Sequence, residues 1–312
     1  MKIIVKLFTF GTFLSLLLVC LHVMADQINP PLPAEITMNK DAGRGNWLIV
    51  TLRLESGEAL PFVVDTGCPR TILDKSLESK LGKRLGATII LSLSGEKKSG
   101  IYAAPKFYLG NVQLITDSNI LTCDLKSLST HAGDSIIGFL GMDCLKNYCI
   151  QLDFEAGKMR FLDSKNLNIA GLGKSFPLQF SEDEGNIGAG IQPFVHHSGL
   201  LDGMITNTII DTGQNIDGAV TGSAIKKHAA GSYSGNLFKR VKHFLEVENV
   251  VGRAVGLPKC VWDENTYTNM VIGRAPSDSP SWIGLRFLAR HLVTLNFPKQ
   301  TMYLKQTSVG PL

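Results

Sequence analysis

The sequence lacks the residue patterns with which several classes of protein bind metals and cofactors. It contains no Cys-x-x-Cys pair and no group of histidines at the spacing of metal ligands. His196 and His197 are adjacent, so on a strand they would point to opposite faces and would not bind one ion together. No metal site and no cofactor are therefore predicted.

Charge is also sparse. Charged residues make up 19% of the 312 residues, the net charge is +4, and no stripe of basic residues alternates with aromatic residues. Pairs such as Lys97-Lys98 and Lys226-Lys227 are interpreted as solvated surface. The sequence therefore predicts no nucleic-acid partner. Its apolar content of 44% is that of a globular chain, and its length suggests two domains.

Only one long hydrophobic run is present, and it lies at the start of the chain. Lys2 and Lys6 precede an apolar run from Leu7 to Val23, and Val23-Met24-Ala25 suits cleavage by signal peptidase. Residues 1–25 are therefore predicted to be a secretory signal peptide, which makes the mature chain an exported (periplasmic or secreted) protein with no membrane attachment. An uncleaved N-terminal anchor is the alternative, because about 17 apolar residues nearly span a bilayer.

Cysteine is infrequent and odd in number once the signal is removed. The five that remain are Cys68, Cys123, Cys144, Cys149 and Cys260. An odd number in an exported protein leaves at least one thiol unpaired. Cys144 and Cys149 are close enough along the chain to bridge, but the sequence leaves the pairing open.

The remainder of the chain is built from short apolar runs divided by turn residues. Residues 26–45 form an extended lead-in with three prolines. Beyond them, β-branched and apolar runs predict strands at 47–54, 60–64, 89–93, 101–109 and 112–120, whereas helices are predicted only at 73–81 and 142–148. Regular short strands with turn signals between them predict an all-β protein.

Two motifs occur twice in the same order. An apolar run followed by Asp-Thr-Gly occurs at 62–67 and 209–213, and an apolar-apolar-Gly segment follows at 136–141 and 282–284. Each is followed by a short helix ending in Leu, a strand closing on Asp-Phe or Asn-Phe, a turn and a final strand. This order predicts a tandem duplication. The predicted parts are a first lobe at 46–165, a linker at 166–187, a second lobe at 188–306 and a tail at 307–312.

Two Asp-Thr-Gly sequences suit catalysis by a pair of carboxyl groups. An apolar strand brings each aspartate to a partly desolvated position, and glycine lets the chain turn sharply beside it. Two carboxyls about 3 Å apart share one proton, because they cannot both ionise. The ionised carboxyl takes a proton from water, and the protonated one donates to the scissile carbonyl oxygen. Asp65 and Asp211 are the predicted pair, and Thr66 and Thr212 are expected to hydrogen-bond across the interface.

The motifs resemble those of the aspartic peptidases of the pepsin and retropepsin type, above all bacterial exported aspartyl proteases with two tandem lobes. The resemblance is carried by residues 62–67, 71–74 and 139–145 within 46–162, and more loosely by 204–305. It implies an all-β, bilobal, pepsin-like fold with two similar six-stranded β-barrel lobes and a few short helices. It also implies an aspartic endopeptidase with Asp65 and Asp211 as its catalytic residues.

The resemblance assigns supporting roles as well. Thr66, Gly67, Thr212 and Gly213 would support the active-site loops, and psi-shaped turns at Gly138, Gly141 and Gly284 would lie behind them. The hairpin from Leu91 to Tyr102 would be a flap over an extended peptide or protein substrate, with Tyr102 either a packing residue or a substrate contact. Since one chain carries both aspartates, a monomer is expected.

Two positions depart from the family pattern. The residue after Asp-Thr-Gly is usually Ser, Thr or Ala, whereas this chain has Cys68 and Gln214. A catalytically silent, pepsin-like module that binds peptide or polymer is therefore the alternative function. Cysteine-protease chemistry at Cys68 is disfavoured, because no histidine stands at a recognised spacing. Asp143 and Asp153 are interpreted as turn or helix-cap residues.

Overall fold

The chain forms an all-β structure, as the sequence predicts. The computed structural model describes residues 31–92, 95–126, 128, 136–183, 190–198, 200, 205–221, 254–275 and 280–312. Strands hold 54% of these described residues and helices 9%, and the strands form two sheets. No helix within these ranges is long and apolar enough to span a bilayer. The predicted signal peptide at 1–25 lies outside the described residues.

Among the described residues, the first sheet has nine strands, one of which leads to the first Asp-Thr-Gly. Strand β1 (Ile36–Thr37) belongs to the other sheet. The nine are β2 (Ile49–Leu54), β3 (Ala59–Val64), β4 (Ile72–Asp74), β5 (Gly86–Ser92), β6 (Gly95–Ala103), β7 (Phe107–Leu109), β8 (Val112–Gln113), β9 (Asn119–Cys123) and β10 (Gly138–Leu140). Their order across the sheet is β5-β6-β9-β4-β10-β3-β2-β7-β8.

Among the described residues, the second sheet has twelve strands. All of them except β1 come after the short helix α1 (Met142–Leu145) in the chain. After β1 its strands are β11 (Cys149–Asp153), β12 (Lys158–Leu162), β13 (Lys174–Asp183), β14 (Gly190–Ser198), β15 (Ile205–Asp211), β16 (Gly218–Thr221), β17 (Ala254–Trp262), β18 (Asn265–Ala275), β19 (Ser281–Gly284), β20 (His291–Asn296) and β21 (Thr301–Gln306). Their order is β1-β12-β11-β20-β21-β13-β14-β15-β19-β16-β18-β17, and helix α2 (Leu285–Leu288) follows β19.

Six neighbouring strands of the first sheet recur in the second with the same relative directions. The order β6-β9-β4-β10-β3-β2 corresponds to β17-β18-β16-β19-β15-β14. In both sheets the strand leading to Asp-Thr-Gly pairs in parallel with a short strand, β10 beside β3 and β19 beside β15. That short strand also pairs antiparallel with the strand after the Asp-Thr-Gly loop. The predicted six-stranded barrels and the lobe boundaries stay predictions.

The two halves meet where β11 pairs antiparallel with β20. At the middle of this pair Gln151 lies opposite Thr294, and its amide Nε2 donates to the Thr294 hydroxyl at 3.1 Å. Residues 151 and 294 occupy equivalent positions two residues before the Asp-Phe and Asn-Phe pairs. The pairing therefore places a pseudo-twofold axis between them.

Four local predictions need correction. The segment 101–109 is not one strand, because β6 ends at Ala103 and β7 begins at Phe107. The segment 112–120 is not one strand, because Leu114 N–H turns back to Phe107 O and Ile115 N–H donates to the Tyr148 hydroxyl. The predicted helix at 73–81 is a 3-10 helix over Lys75–Lys80, capped by Asp74. The predicted helix at 142–148 ends at Leu145 as α1.

A buried histidine in the second half makes stability depend on pH. His291 is 2% exposed, its Nε2 lies 2.9 Å from the Tyr267 hydroxyl, and its Nδ1 lies 3.0 Å from Phe287 O. Burial lowers the pKa of His291 to about 4. The unfolded chain therefore binds the extra proton first, since an unperturbed histidine titrates near pH 6.5.

We expect the free energy of unfolding to lose about 3 kcal/mol from this residue between pH 6.5 and 4. Chemical unfolding of wild type and His291→Gln at several pH values measures the free energy of unfolding. The variant should lose less of this free energy between pH 6.5 and 4 than wild type does. Exposed His196 provides the matched control, His196→Gln. Equal slopes for wild type and His291→Gln would contradict the prediction.

Candidate active site between the two halves

Two buried strands deliver the two aspartates to one place. Asp65 directly follows β3, and its N–H donates to Leu140 O on β10 at 3.0 Å. Asp211 is the last residue of β15 and pairs with Gly284 of β19. The residues that precede them, Phe62, Val63, Val64, Ile209 and Ile210, are at most 6% exposed. Burial of these apolar side chains fixes where each strand ends and so fixes both carboxyl groups.

The two carboxyl groups contact each other. The side chain of Asp211 hydrogen-bonds that of Asp65, and the Gly213 N–H also reaches the Asp65 carboxyl. Within its own loop, Asp65 Oδ1 accepts from Gly67 N–H at 2.8 Å and from Cys68 N–H at 3.0 Å. Asp211 Oδ1 accepts from Gly213 N–H at 2.9 Å.

The proton affinity of Asp65 is unusual for an aspartate. Burial raises its pKa to about 6, against the hydrogen bonds from Gly67, Cys68, Asp211 and Gly213, which favour the ionised form. Desolvation therefore outweighs four hydrogen bonds. A carboxyl that keeps its proton at weakly acidic pH can act as a general acid beside an ionised partner.

The glycines of both motifs are required by close approach rather than by a special backbone angle. The chain turns at both motifs as expected, since Cys68 N–H donates to Asp65 O and Gln214 N–H donates to Asp211 O. Neither Gly67 nor Gly213 has a positive φ, however. A Cβ at Gly67 would lie 2.5 Å from Asp211 Oδ1, and one at Gly213 would lie 2.5 Å from Asp65 Oδ1. Each loop therefore packs its glycine directly against the aspartate of the other half.

The two threonines tie the loops together by reciprocal hydrogen bonds. Thr66 N–H donates to Thr212 Oγ1 and Thr212 N–H donates to Thr66 Oγ1, both at 3.0 Å. The Thr66 hydroxyl donates to Ile210 O at 2.5 Å and the Thr212 hydroxyl donates to Val64 O at 2.7 Å. Both threonines are at most 1% exposed, so water does not compete for these bonds.

The turns predicted to be psi-shaped pass behind the loops at van der Waals contact. A Cβ at Gly138 would lie 2.7 Å from Ile72 O, and one at Gly141 would lie 2.5 Å from the carbonyl carbon of Arg70. At Gly284 it would lie 2.9 Å from Gln214 O. Glycine at these three positions lets β10 and β19 lie against the loops that carry the aspartates.

Buried polar groups behind the two loops differ between the halves. On α1, Asp143 is 2% exposed, and its Oδ1 accepts from both the N–H and the hydroxyl of Thr71. Its contacts are structural, but it lies inside α1 and is not the turn or cap residue expected, since the helix N-cap is Gly141. At the equivalent place in the second half, Asp217 accepts from Arg286 Nη1 at 2.8 Å and from Arg290 Nη2 at 2.8 Å.

Sequence reasoning missed the cluster of Asp217, Arg286 and Arg290. All three are at most 5% exposed. Arg290 also donates to Thr268 O and to Val309 O, so the cluster links the second aspartate loop to the C-terminal segment. The sequence repeat offered one signal, because Arg286 occupies the position of Asp143 and a buried charge there implies a partner.

Two side chains that cross between the halves were also missed. Trp47 Nε1 donates to Gly213 O at 2.7 Å, and Gln192 Nε2 donates to Gly67 O at 2.5 Å. Each side chain therefore holds the peptide group that follows the Asp-Thr-Gly of the other half. No local sequence pattern marks such residues, because their partners are more than 100 positions away.

Cys68 is not a nucleophile of the usual kind. Its thiol lies 2.9 Å from Arg70 O and donates to that carbonyl. Burial, followed by the charge of Asp65, raises the thiol pKa well above its ordinary value. The thiol therefore stays protonated, which disfavours cysteine-protease chemistry. Among the described residues all five cysteines are free, including Cys144 and Cys149.

The expected flap is a β-hairpin in the structure. Strands β5 and β6 pair antiparallel from Gly86↔Ile101 to Ser92↔Gly95, and residues 93–94 at its tip lie outside the described residues. Tyr102 is 5% exposed, belongs to the main core and hydrogen-bonds Glu78. Of its two interpretations, the packing role fits. Closure of the hairpin over a substrate stays a prediction.

Comparison with known proteins adds one finding to this geometry. Residues 50–144 match the sequence model of the family described as aspartyl protease. The match runs from β2 through Asp65 to α1, so this segment is similar to the aspartyl proteases of that family. No curated protein matches the chain. The family match supports protease function in general, whereas Asp211 lies outside the matched residues.

Proposed function

We propose that this chain is an aspartic endopeptidase that hydrolyses peptide bonds with a water molecule activated by Asp65 and Asp211. One observation carries the proposal: the carboxyl groups of two equivalent loops hydrogen-bond each other while desolvation keeps a proton on the pair up to about pH 6. Two carboxyls in direct contact destabilise the neutral-pH fold. Catalysis gives a physical reason for the arrangement that a purely structural role does not.

The proposed reaction is general acid–base catalysis without a covalent intermediate. The ionised carboxyl takes a proton from the attacking water, while the protonated carboxyl donates to the scissile carbonyl oxygen. The hydrogen bonds from Gly67, Cys68 and Gly213 hold the carboxyl oxygens in place. The reciprocal threonine bonds keep the two loops at a fixed separation, which such a reaction requires.

The proposed substrate is an extended segment of peptide or protein that lies between the halves beside the β5–β6 hairpin. Phe139 of β10 and Trp282 of β19 are equivalent positions, and both stay partly exposed in strands that are otherwise buried. We propose that these two side chains contribute apolar subsites near the aspartates, which would favour apolar side chains in the peptide. We further propose that the chain acts as an exported monomer, because residues 1–25 have the pattern of a signal peptide and one chain supplies both aspartates.

The alternative function, a silent binding module, rests on the residues after each Asp-Thr-Gly. The Cys68 thiol donates to Arg70 O, so it does not serve as the hydroxyl that the family usually places beside the aspartate. Pepstatin mimics the tetrahedral intermediate, so tight binding that requires both aspartates would favour the enzyme. Peptide binding without cleavage and without tight pepstatin binding would support the alternative.

The pH dependence of hydrolysis tests the proposal. We expect cleavage of a denatured protein substrate to be fastest at acidic pH and to fall roughly tenfold per pH unit above about 6, because the general acid is then lost. Initial rates between pH 3 and 8, with and without pepstatin, measure this. A rate that stays constant or rises above pH 7 would contradict it.

A further inference from the structure

Gln192 and Trp47 occupy equivalent positions of the repeated fold. Trp47 stands two residues before Ile49, which pairs with Val63 of β3. Gln192 stands two residues before Phe194, which pairs with Ile209 of β15. Each side chain donates to the carbonyl of the Asp-Thr-Gly glycine in the other half. The pseudo-twofold axis therefore relates two cross-half hydrogen bonds.

The hydrogen bond from Gln192 is linked to Asp65 through one peptide group. The Gly67 carbonyl that accepts it belongs to the same peptide group as the Cys68 N–H, and that N–H donates to Asp65 Oδ1 at 3.0 Å. Accepting a hydrogen bond at its oxygen polarises a peptide group and strengthens the bond that its N–H donates. The bond from Trp47 acts on the peptide group of the Gln214 N–H in the other half, which donates to Asp211 O at 3.4 Å, as Cys68 N–H does to Asp65 O at 3.3 Å.

We propose that Gln192 is a positioning residue that acts from the second half on Asp65 through the Gly67–Cys68 peptide group. This inference rests on the proposed peptidase function. Gln192 lies on β14, the strand beside the one that carries Asp211, and its amide contacts the loop that carries Asp65. One side chain thus sets the position of the first aspartate relative to the second.

The contact does not depend on a freely moving side chain. Gln192 is half-buried, and two residues earlier Gly190 packs against the same loop. A Cβ at Gly190 would lie 2.5 Å from Pro69 Cβ and 3.1 Å from Pro69 O. The start of β14 is therefore held against residues 67–69 by packing as well as by the hydrogen bond.

Removal of the Gln192 donor should weaken the Cys68 N–H bond and so favour the protonated form of Asp65. In the described part of the chain, Asp65 interacts with Asp211 and with the neutral thiol of Cys68, which Asp143 also influences, and Arg70 acts on Asp143. All of them remain in a Gln192 variant. A change in the pKa of Asp65 is then attributable to the peptide group.

The experiment compares Gln192→Met, which keeps the side-chain length without a donor, with Trp47→Phe, which removes the equivalent bond of the other half. Carbon-13 NMR of labelled aspartate carboxyls in the full chain follows the titration of Asp65, assigned with Asp65→Asn. We expect Gln192→Met to raise the apparent pKa of Asp65 by about 0.3–0.5 unit, a two- to threefold change in proton affinity. The upper limb of the pH–rate profile should move by the same amount.

The outcomes separate this inference from the proposed function. No shift in Gln192→Met, or an equal shift in Trp47→Phe, would overturn the role of Gln192. If wild type cleaves no substrate at any pH, the proposed function fails, yet the NMR titration still decides the link between Gln192 and Asp65. Gln192→Leu replaces Gln192→Met if the latter gives no folded spectrum.

Discussion

Replacement of either Asp65 or Asp211 by asparagine is expected to reduce peptide hydrolysis by at least about a thousandfold. An amide next to the remaining carboxyl neither accepts the proton of the attacking water nor donates a carboxylic proton to the scissile carbonyl. Because the two carboxyls hydrogen-bond each other, each variant removes a shared function, and the double variant should be little worse than either single one. Initial rates at the pH optimum measure the effect.

The substitution Asp65→Asn is also expected to stabilise the fold at neutral pH. The pKa of Asp65 is raised in the folded state to about 6, so its ionisation above pH 6 opposes folding, and this cost is relieved as the pH falls toward 4. Asp65→Asn should therefore increase the free energy of unfolding at pH 7, by on the order of 2 kcal/mol. Gain of stability with loss of hydrolysis distinguishes an active-site residue from a structural one.

Asp153 offers a matched control for both measurements. It accepts from Ala156 N–H and pairs with Arg160 at the surface, and Asp153→Asn keeps an oxygen for the Ala156 bond. The control should retain wild-type hydrolysis and nearly wild-type stability. Cleavage by Asp65→Asn or Asp211→Asn at the rate of the control would exclude the proposed mechanism.

The substitution Gly213→Ala, which adds one methyl group, is expected to reduce hydrolysis almost as much as replacement of Asp65 or Asp211 by asparagine. The Cβ of Gly213→Ala would lie 2.5 Å from both carboxyl oxygens of Asp65, well inside van der Waals contact. Asp65 must then rotate away from Asp211, or the loops that Thr66 and Thr212 hold together must separate. Overpacking at such a site costs about 1–3 kcal/mol of stability, and misplacement of a reacting group costs at least about a hundredfold in rate.

Gly86 provides the control for this substitution. A Cβ there would meet Ile101 Cδ1 at 3.5 Å, an ordinary contact on strand β5. Gly86→Ala should therefore leave both hydrolysis and thermal stability close to wild type. If Gly213→Ala cleaved its substrate as fast as Gly86→Ala, the two loops could not be packed against each other in the folded protein.

Several features of the fold followed from the sequence because they depend on local pattern. Alternating apolar runs with turn residues between them predicted an all-β chain, and the repeated motifs predicted that Asp65 and Asp211 stand at equivalent places. Boundaries were less predictable. The strand predicted at 112–120 is interrupted where Ile115 N–H donates to the Tyr148 hydroxyl, a partner from a distant part of the chain.

The residues of the candidate site were likewise predictable only where a contiguous sequence motif marks them. Asp65, Asp211 and the flanking threonines and glycines were predictable, because each motif is contiguous. Gln192, Trp47 and the cluster of Asp217, Arg286 and Arg290 were not. Each of these makes its contact across a strand or across the pseudo-twofold axis, and no periodicity along the chain encodes such a contact.

Neighbouring residues and their order are enough to predict the strand-rich class, the repeat of the Asp-Thr-Gly motif and the two aspartates within it. The folded structure adds that the two carboxyls touch, that burial raises the pKa of Asp65 to about 6, and that Gly67 and Gly213 must lack a side chain to admit the opposite aspartate. Desolvation and close packing are properties of the assembled halves, because each depends on atoms that only folding brings together.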